Sequence, residues 1–411
     1  MTGGWLVLLE SNTTGSGRRF CAAARRFGLR PVVFARDPDR YPYLAEDRIE
    51  VRRLDTGDRQ AVHGAVTELP GGVAGVTSSS EYFVAAAAEL AAELDRPHPD
   101  PGAVAACRDK GIQRRLLHDG GLAGPAFAVA TDPGQAADRA RELGMPVVLK
   151  PASGSGSVGV RLCSGADEVT EAAEAVLAGL AGIPAQRAVL VEQYLDGPEF
   201  SVETFGTRVV GITAKHVGAA PYFVETGHDF PAALPAATGA ALAEAAVRAV
   251  VAVGLGWGPA HVELRLTAAG PAVVEVNPRL AGGMIPDLVR AATGVDLVAA
   301  TVAAVAGLPV ELEPDRDAGA AIRFLVAQRS GRLAGVAGLD RAAACPQVTD
   351  AVFTGRAGRL LTIEHSFRDR LGYLIATGRD GRDAGSAADR ALAFVRLLID
   401  EVRQPVLLDR R

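Results

Sequence analysis

Val273-Val274-Glu275-Val276-Asn277-Pro278-Arg279 is the stretch on which the reading of this chain turns. Alternation along a strand places the Glu275 carboxylate and the Asn277 amide on one face, and two oxygen ligands two residues apart suit a hard cation. Upstream, His261-Val262-Glu263-Leu264-Arg265 alternates in the same way and reads as the hairpin partner of that strand. Glu263, Glu275 and Asn277 together form a candidate site for one or two Mg2+ ions, which take few protein oxygens and complete their shells with water and phosphate. His261 is read as orienting Glu263 rather than binding metal, since imidazole suits Zn2+ better than Mg2+.

A metal-nucleotide site also needs cations and backbone donors for phosphate. Pro146-Val147-Val148-Leu149-Lys150-Pro151 reads as a buried strand ending in a lysine, and Ala152-Ser153-Gly154-Ser155-Gly156-Ser157-Val158-Gly159-Val160 follows at once. Glycines there free the backbone to turn its N–H groups toward an anion, and the serines add hydroxyl donors. No Gly-Lys-Ser/Thr ends the loop, so it is not of the Walker type. Lys110 opens a predicted helix, and Ala188–Val202 reads as a strand, a turn and a second strand that contain Glu192, Tyr194, Leu195 and Glu199.

In this order, Lys110, Lys150 with its Gly/Ser loop, Glu192 through Glu199, Glu263 and Glu275-x-Asn277-Pro278-Arg279 resemble the motif set of the ATP-grasp superfamily, over roughly residues 105 to 305. Within it the chain most resembles the carboxylate–amine ligases of the L-amino-acid ligase type. The resemblance implies that Lys110 and Lys150 contact the nucleotide phosphates, with Ser153, Ser155, Gly156 and Ser157 of the loop beside them. It implies that Glu192, Tyr194 and Leu195 form the adenine hinge and that Glu199 holds the ribose. Glu263, Glu275 and Asn277 become the metal ligands, and Arg279 the arginine near the transferred phosphate and acyl group. The implied reaction is attack of a substrate carboxylate on the γ-phosphate, followed by displacement of phosphate by an amine. Catalytic weight falls on Arg279 and Lys150; the expected cofactors are ATP and two Mg2+ ions, with Mn2+ able to substitute.

That chemistry suits the residues. Phosphoryl transfer is dominated by positioning and charge stabilisation, so lysines, an arginine and bridging cations are the groups it requires. For substrates, Tyr222-Phe223-Val224-Glu225-Thr226-Gly227-His228-Asp229-Phe230-Pro231-Ala232 mixes aromatics, acids and a histidine with turn signals and is expected to be a binding loop. It resembles the Gly-His-x-x-Pro element of the amino-acid ligases, which points Glu225 and His228 at substrate. Gly282 and Gly283 free two N–H groups just after Arg279 and complete a candidate carboxylate clamp.

Composition narrows the class. The chain has 411 residues, 48% hydrophobic and 22% charged, enough for two or three domains with full cores. A net charge of −5 without a concentrated basic stripe argues against a nucleic-acid partner. Cys21, Cys107, Cys163 and Cys345 are scattered without a C-x-x-C pair and read as small core hydrophobes. Trp5–Leu9 is too short and lacks the basic lead of a signal peptide, while Glu244 and Arg248 make the run from Ala236 to Val253 an amphipathic helix rather than a membrane span. A cytoplasmic protein with small-molecule carboxylate and amine substrates, no membrane partner and a homodimeric option is expected.

The expected fold is mixed α/β and α+β in three parts. Residues 1–102 form an open α/β domain, 103–308 an ATP-grasp domain with a lid at about 125–195 around a central antiparallel sheet, and 309–411 an α+β cap. Pro97-His98-Pro99-Asp100-Pro101-Gly102 marks the first boundary as a non-helical linker, and Ala387–Val402 is expected to be a final helix. Gly15-x-Gly17 lacks the third glycine of a dinucleotide fingerprint, which sets aside an NAD-dependent oxidoreductase. Three readings stay open. The first is an ATP-dependent amide-forming ligase of specialised metabolism; the second is a biotin-carboxylase-like or purine-pathway enzyme; the third is a nucleotide-sensing protein without turnover.

Overall fold

The computed structural model describes residues 3–12, 16–154, 156–180 and 185–401. Ser155, Gly15 and Val402, named above, lie outside the described residues. The chain divides into two compact units, one of residues 1–124, 200–212 and 234–316 and one of residues 125–199, 213–233 and 317–411.

The first unit opens with a four-stranded parallel sheet in the order Glu50–Arg53, Arg30–Ala35, Trp5–Leu9, Val73–Thr77. Trp5 through Leu9 is an unbroken apolar run because the sheet is covered on both faces. Helices Ser16–Arg26 and Leu297–Val305 pack on one side, around Leu6, Leu8, Phe20 and Val302, and Arg59–Thr67 and Val84–Glu93 lie on the other, around Val7, Leu9, Val62 and Leu90. The unit also holds the antiparallel hairpin Pro259–Thr267/Gly270–Asn277, covered by helix Ala236–Ala252.

Aspartates start the helices that matter to the site. Asp109 accepts from the Ile112 N–H and caps Lys110–Asp119, which fixes Lys110 in the first turn. The Pro97–Gly102 reading is corrected at its end: Asp100 caps a helix over Pro101–Arg108, with Pro101 at the first helical position, where a missing N–H costs nothing.

The second unit contains the antiparallel sheet Phe127–Ala130, Val189–Gln193, Val147–Pro151, Arg161–Cys163, backed by helices Pro133–Leu143 and Ala166–Ala178 around Val147, Leu149, Val169, Val176 and Val191. It also contains the later half of Arg208–Val217 with Glu225–Phe230, Gly319–Val326, Arg370–Gly378 and Val348–Phe353, paired in that order and antiparallel. Two expectations fail here. Residues 225–230 are a strand, not a loop, because neighbouring strands bond both its edges. The last helix spans Gly381–Leu392, and Arg396–Asp400 is instead a strand paired with Gly331–Ala337, its Ile399 buried beside Leu333. Cys21, Cys107 and Cys163 are buried as expected, whereas Cys345 is partly exposed.

Among the described residues no single helix is long and apolar enough to cross a membrane. Leu149 is fully buried next to Lys150, so Leu149→Ala should cost about 2–5 kcal/mol. Urea unfolding followed by circular dichroism checks this, and a loss below about 1 kcal/mol would mean that the strand is not anchored through that side chain.

Candidate active site

The hairpin sets two acids face to face. Glu263 pairs directly with Glu275 and His261 with Asn277, while the register shift after Glu263 leaves Val274 as the extra residue of a bulge. Like charges opposite one another in a sheet repel, so each carboxylate needs a compensating cation. Lys110 Nζ lies 2.6 Å from Glu275 Oε1, and His261 Nε2 lies 3.0 Å from Glu263 Oε1. The other ring nitrogen, Nδ1, sits 2.9 Å from Glu203 Oε1, itself the acceptor of the Ser201 hydroxyl at 2.8 Å. Burial alone would lower the His261 pKa, but Glu203 above all, with Glu263, raises it from 6.5 to about 9.

Lys110 reaches Glu275 because its helix is docked on the strand's free edge. The Gln113 side chain takes the place of a neighbouring strand: its Nε2 donates to Val276 O at 2.7 Å, and its Oε1 accepts from Val276 N–H at 2.9 Å. Arg114 donates to Val274 O on the same edge. Arg279 follows the strand and is held by Glu81, its Nε and Nη2 reaching Oε2 at 3.2 and 2.7 Å, with Arg108 3.3 Å from Oε1 of the same acid. Gly282 is exposed and Gly283 has φ +57°, in the turn that leads to helix Ile285–Thr293.

In the second unit Lys150 Nζ is 2.6 Å from Glu192 Oε2, and both side chains are buried. The adjoining loop carries Gly154, Gly156 and Gly159 at positive φ, which glycine enters freely, and Ser157 also lies at positive φ. Ser153 donates to Gln186 at 2.8 Å, and the Phe367 ring closes over Gly156, where it leaves no room for an added Cβ. Tyr194 stacks on Phe223 with centroids 5.9 Å apart, and it and Leu195 are half-buried.

A second bulge assembles the remaining residues. Lys215 pairs with His228 and Val217 with Glu225, so Thr226 is the extra residue and Glu225 turns to the same face as His228 and Lys215. Lys215 Nζ lies 2.7 Å from Glu199 and 2.9 Å from Glu225, while Arg370 Nη2 donates to Glu225 Oε2 at 2.6 Å. His228 is buried edge-on against Phe324 and lies 3.8 Å from Glu225.

The profile of the ATP-grasp domain matches residues 143–287, and that of L-amino acid ligase C-terminal domain 2 matches residues 323–400. The uncharacterized protein y4rH of Sinorhizobium fredii is 39% identical over 95% of this chain and 82% of its own length. Carnosine synthase 1 of Homo sapiens is 30% identical over 73% of this chain, which spans 40% of that protein. The chain carries an ATP-grasp domain followed by an L-amino acid ligase C-terminal domain. This ligase shares its fold with the L-amino acid ligase from Bacillus licheniformis, at a TM-score of 0.81 and 22% identity, with 98% of this chain and 100% of that one covered.

The residues fit the MgATP such an enzyme uses. Glu263, Glu275 and Asn277 present only oxygen donors, the set a hard divalent ion selects. Among the described residues no group of three or more His, Cys, Asp or Glu side chains has the arrangement of a metal site. Sequence reasoning missed Glu81, Glu203, Gln113, Lys215 and Arg370. Strand alternation around Glu199 and Glu225 offered a hint of Lys215; the others are brought in by contacts remote in sequence.

The folded pKa of His261 exceeds that of the unfolded chain, so its contribution to stability is complete below about pH 6.5 and is lost as pH rises through about 9. The Tm advantage of the wild type over His261→Gln, measured without metal, should therefore shrink between those pH values. A constant difference across that range would count against a protonated ring between the two acids.

Proposed function

We propose that this ligase joins an amino acid or small carboxylic acid to an amine through an acyl phosphate, releasing ADP and phosphate. The observation that carries the reading is the directly opposed Glu263–Glu275 pair beside Asn277, with Lys110 on Glu275. In the first step a substrate carboxylate oxygen bonds to the γ-phosphorus as the bond to the ADP oxygen breaks. In the second the amine nitrogen bonds to the acyl carbon, phosphate departs, and the nitrogen loses its proton.

Mg2+, when bound by Glu263, Glu275 and Asn277, supplies charge neutralisation on the phosphate oxygens. The other roles belong to this chain. Lys110 and Lys150, now paired with Glu275 and Glu192, neutralise phosphate charge by exchanging those acids for phosphate oxygens. The loop of Ser153, Ser155, Gly156 and Ser157 donates N–H and hydroxyl groups to phosphate; Glu192, Tyr194 and Leu195 receive the adenine, and Glu199 the ribose. Arg279, with the Gly282 and Gly283 amides, holds the acyl group, and a guanidinium aimed at the developing oxyanion contributes about 3 kcal/mol. Glu225 and His228 face the substrate amino or carboxylate groups. The same reading divides the chain at 1–102, 103–308 with its lid, and 309–411, and it places the work in specialised metabolism with small molecules as partners.

The test is ADP and phosphate release with MgATP across a panel of amino acids and small carboxylates, singly and in pairs, with mass spectrometry of the products. Release that requires a pair, with a product one water lighter than the sum, is expected. Bicarbonate- or formate-dependent release would replace the reading with a carboxylase or purine-type reaction. Glu275→Ala should abolish Mg2+-dependent turnover, and Lys150→Ala should weaken ATP binding by about tenfold or more. Near-normal turnover in the first variant, or unchanged nucleotide affinity in the second, would sink the corresponding assignment.

A further inference from the structure

Arg370 stands out among the charged groups of the second unit. It opens the strand Arg370–Gly378, within the segment that matches the L-amino acid ligase C-terminal domain and far in sequence from every residue assigned above. Its guanidinium makes two bonds to one residue: Nη2 donates to Glu225 Oε2 at 2.6 Å and Nε to Glu225 O at 3.2 Å. The guanidinium carbon sits 4.0 Å from the centroid of the Phe324 ring, and the same ring receives His228 edge-on at 5.5 Å. One aromatic side chain thus fixes both the arginine and the histidine that flank Glu225.

The Glu225 carboxylate is shared. Its Oε1 faces Lys215, which also binds Glu199, and its Oε2 faces Arg370. Lys215 alone leaves that carboxylate free to rotate about its last torsion; a second, planar cation on the other oxygen sets the plane. The main-chain bond from Nε adds a constraint that a lysine cannot reproduce, because an ammonium on a flexible stem lacks the fork. The arginine stem and ring contact also keep the pair partly dry, where a charged hydrogen bond is worth more than at an open surface.

We infer that Arg370 is a positioning residue for Glu225, through which the C-terminal part of the chain sets substrate selectivity in this ligase; this rests on Glu225 facing substrate, as proposed above. Arg370 touches no reacting atom. It holds the acid that does the recognising, so its loss shows in the KM for the amino-acid substrate and not in the handling of nucleotide.

The experiment uses the full chain and the substrate pair that supports ADP release in the wild type. Arg370→Met, Arg370→Lys, Glu225→Gln and the double variant Arg370→Met/Glu225→Gln are compared for KM of each substrate, KM of ATP, kcat and Tm. Arg370→Met should raise the KM of one organic substrate about tenfold with the KM of ATP unchanged, and in the Glu225→Gln background it should add no further rise. Arg370→Lys should recover only part of the loss, and it carries the same comparison if Arg370→Met does not fold. Additive effects, or equal rises in the KM of ATP and of substrate, would overturn the inference and leave the ligase reading intact. A wild type that shows no pair-dependent release would overturn both.

Discussion

Two carboxylates set opposite one another in a hairpin are an arrangement a sheet does not tolerate without compensation, and much of the first unit answers to it. Glu275 is balanced by Lys110, which can reach it only because Asp109 starts the helix there and Gln113 fastens that helix to the main chain of Val276. Glu263 is balanced by His261, whose charge depends in turn on buried Glu203. On the proposed reading, Lys110 and His261 contact the two acids that would hold the divalent ion. Such a pair of acids is held ready, its repulsion relieved, rather than left strained.

The second unit repeats the logic with other residues. Lys150 rests on Glu192, and Lys215 is divided between Glu199 and Glu225. Burying an ammonium group without a partner is costly, and Lys150 and Lys215 each have acids beside them. The proposed nucleotide acids Glu192 and Glu199 are among those partners.

Much of the site was legible in the sequence, for a physical reason. Strand alternation alone places Glu275 and Asn277 on one face, and the run holding His261 and Glu263 alternates in the same way, as its hairpin partner should. The glycines of the loop after Lys150 marked a backbone free to turn, and Gly154, Gly156 and Gly159 lie at positive φ. Reading failed where local signals conflicted with long-range pairing. Polar and aromatic residues made 222–232 look like a loop, but two flanking strands claim its backbone. The carboxy-terminal run after Leu392 looked helical, yet Gly331–Ala337 offered it a sheet edge and Leu333 a core to join.

Sequence by itself determined the residue types of the candidate site, their order along the chain and the alternation that groups them, because those depend on residue identity and a fixed backbone period. Tertiary structure decided which residues complete the groups. Alternation would put Glu225 and His228, three apart, on opposite faces; the bulge at Thr226 brings both to the side of Lys215, and a bulge arises from pairing with another strand. Glu81, Glu203, Gln113 and Arg370 reach their partners across separations of 58 to 198 residues, and no local pattern encodes a contact whose two halves are each unremarkable alone.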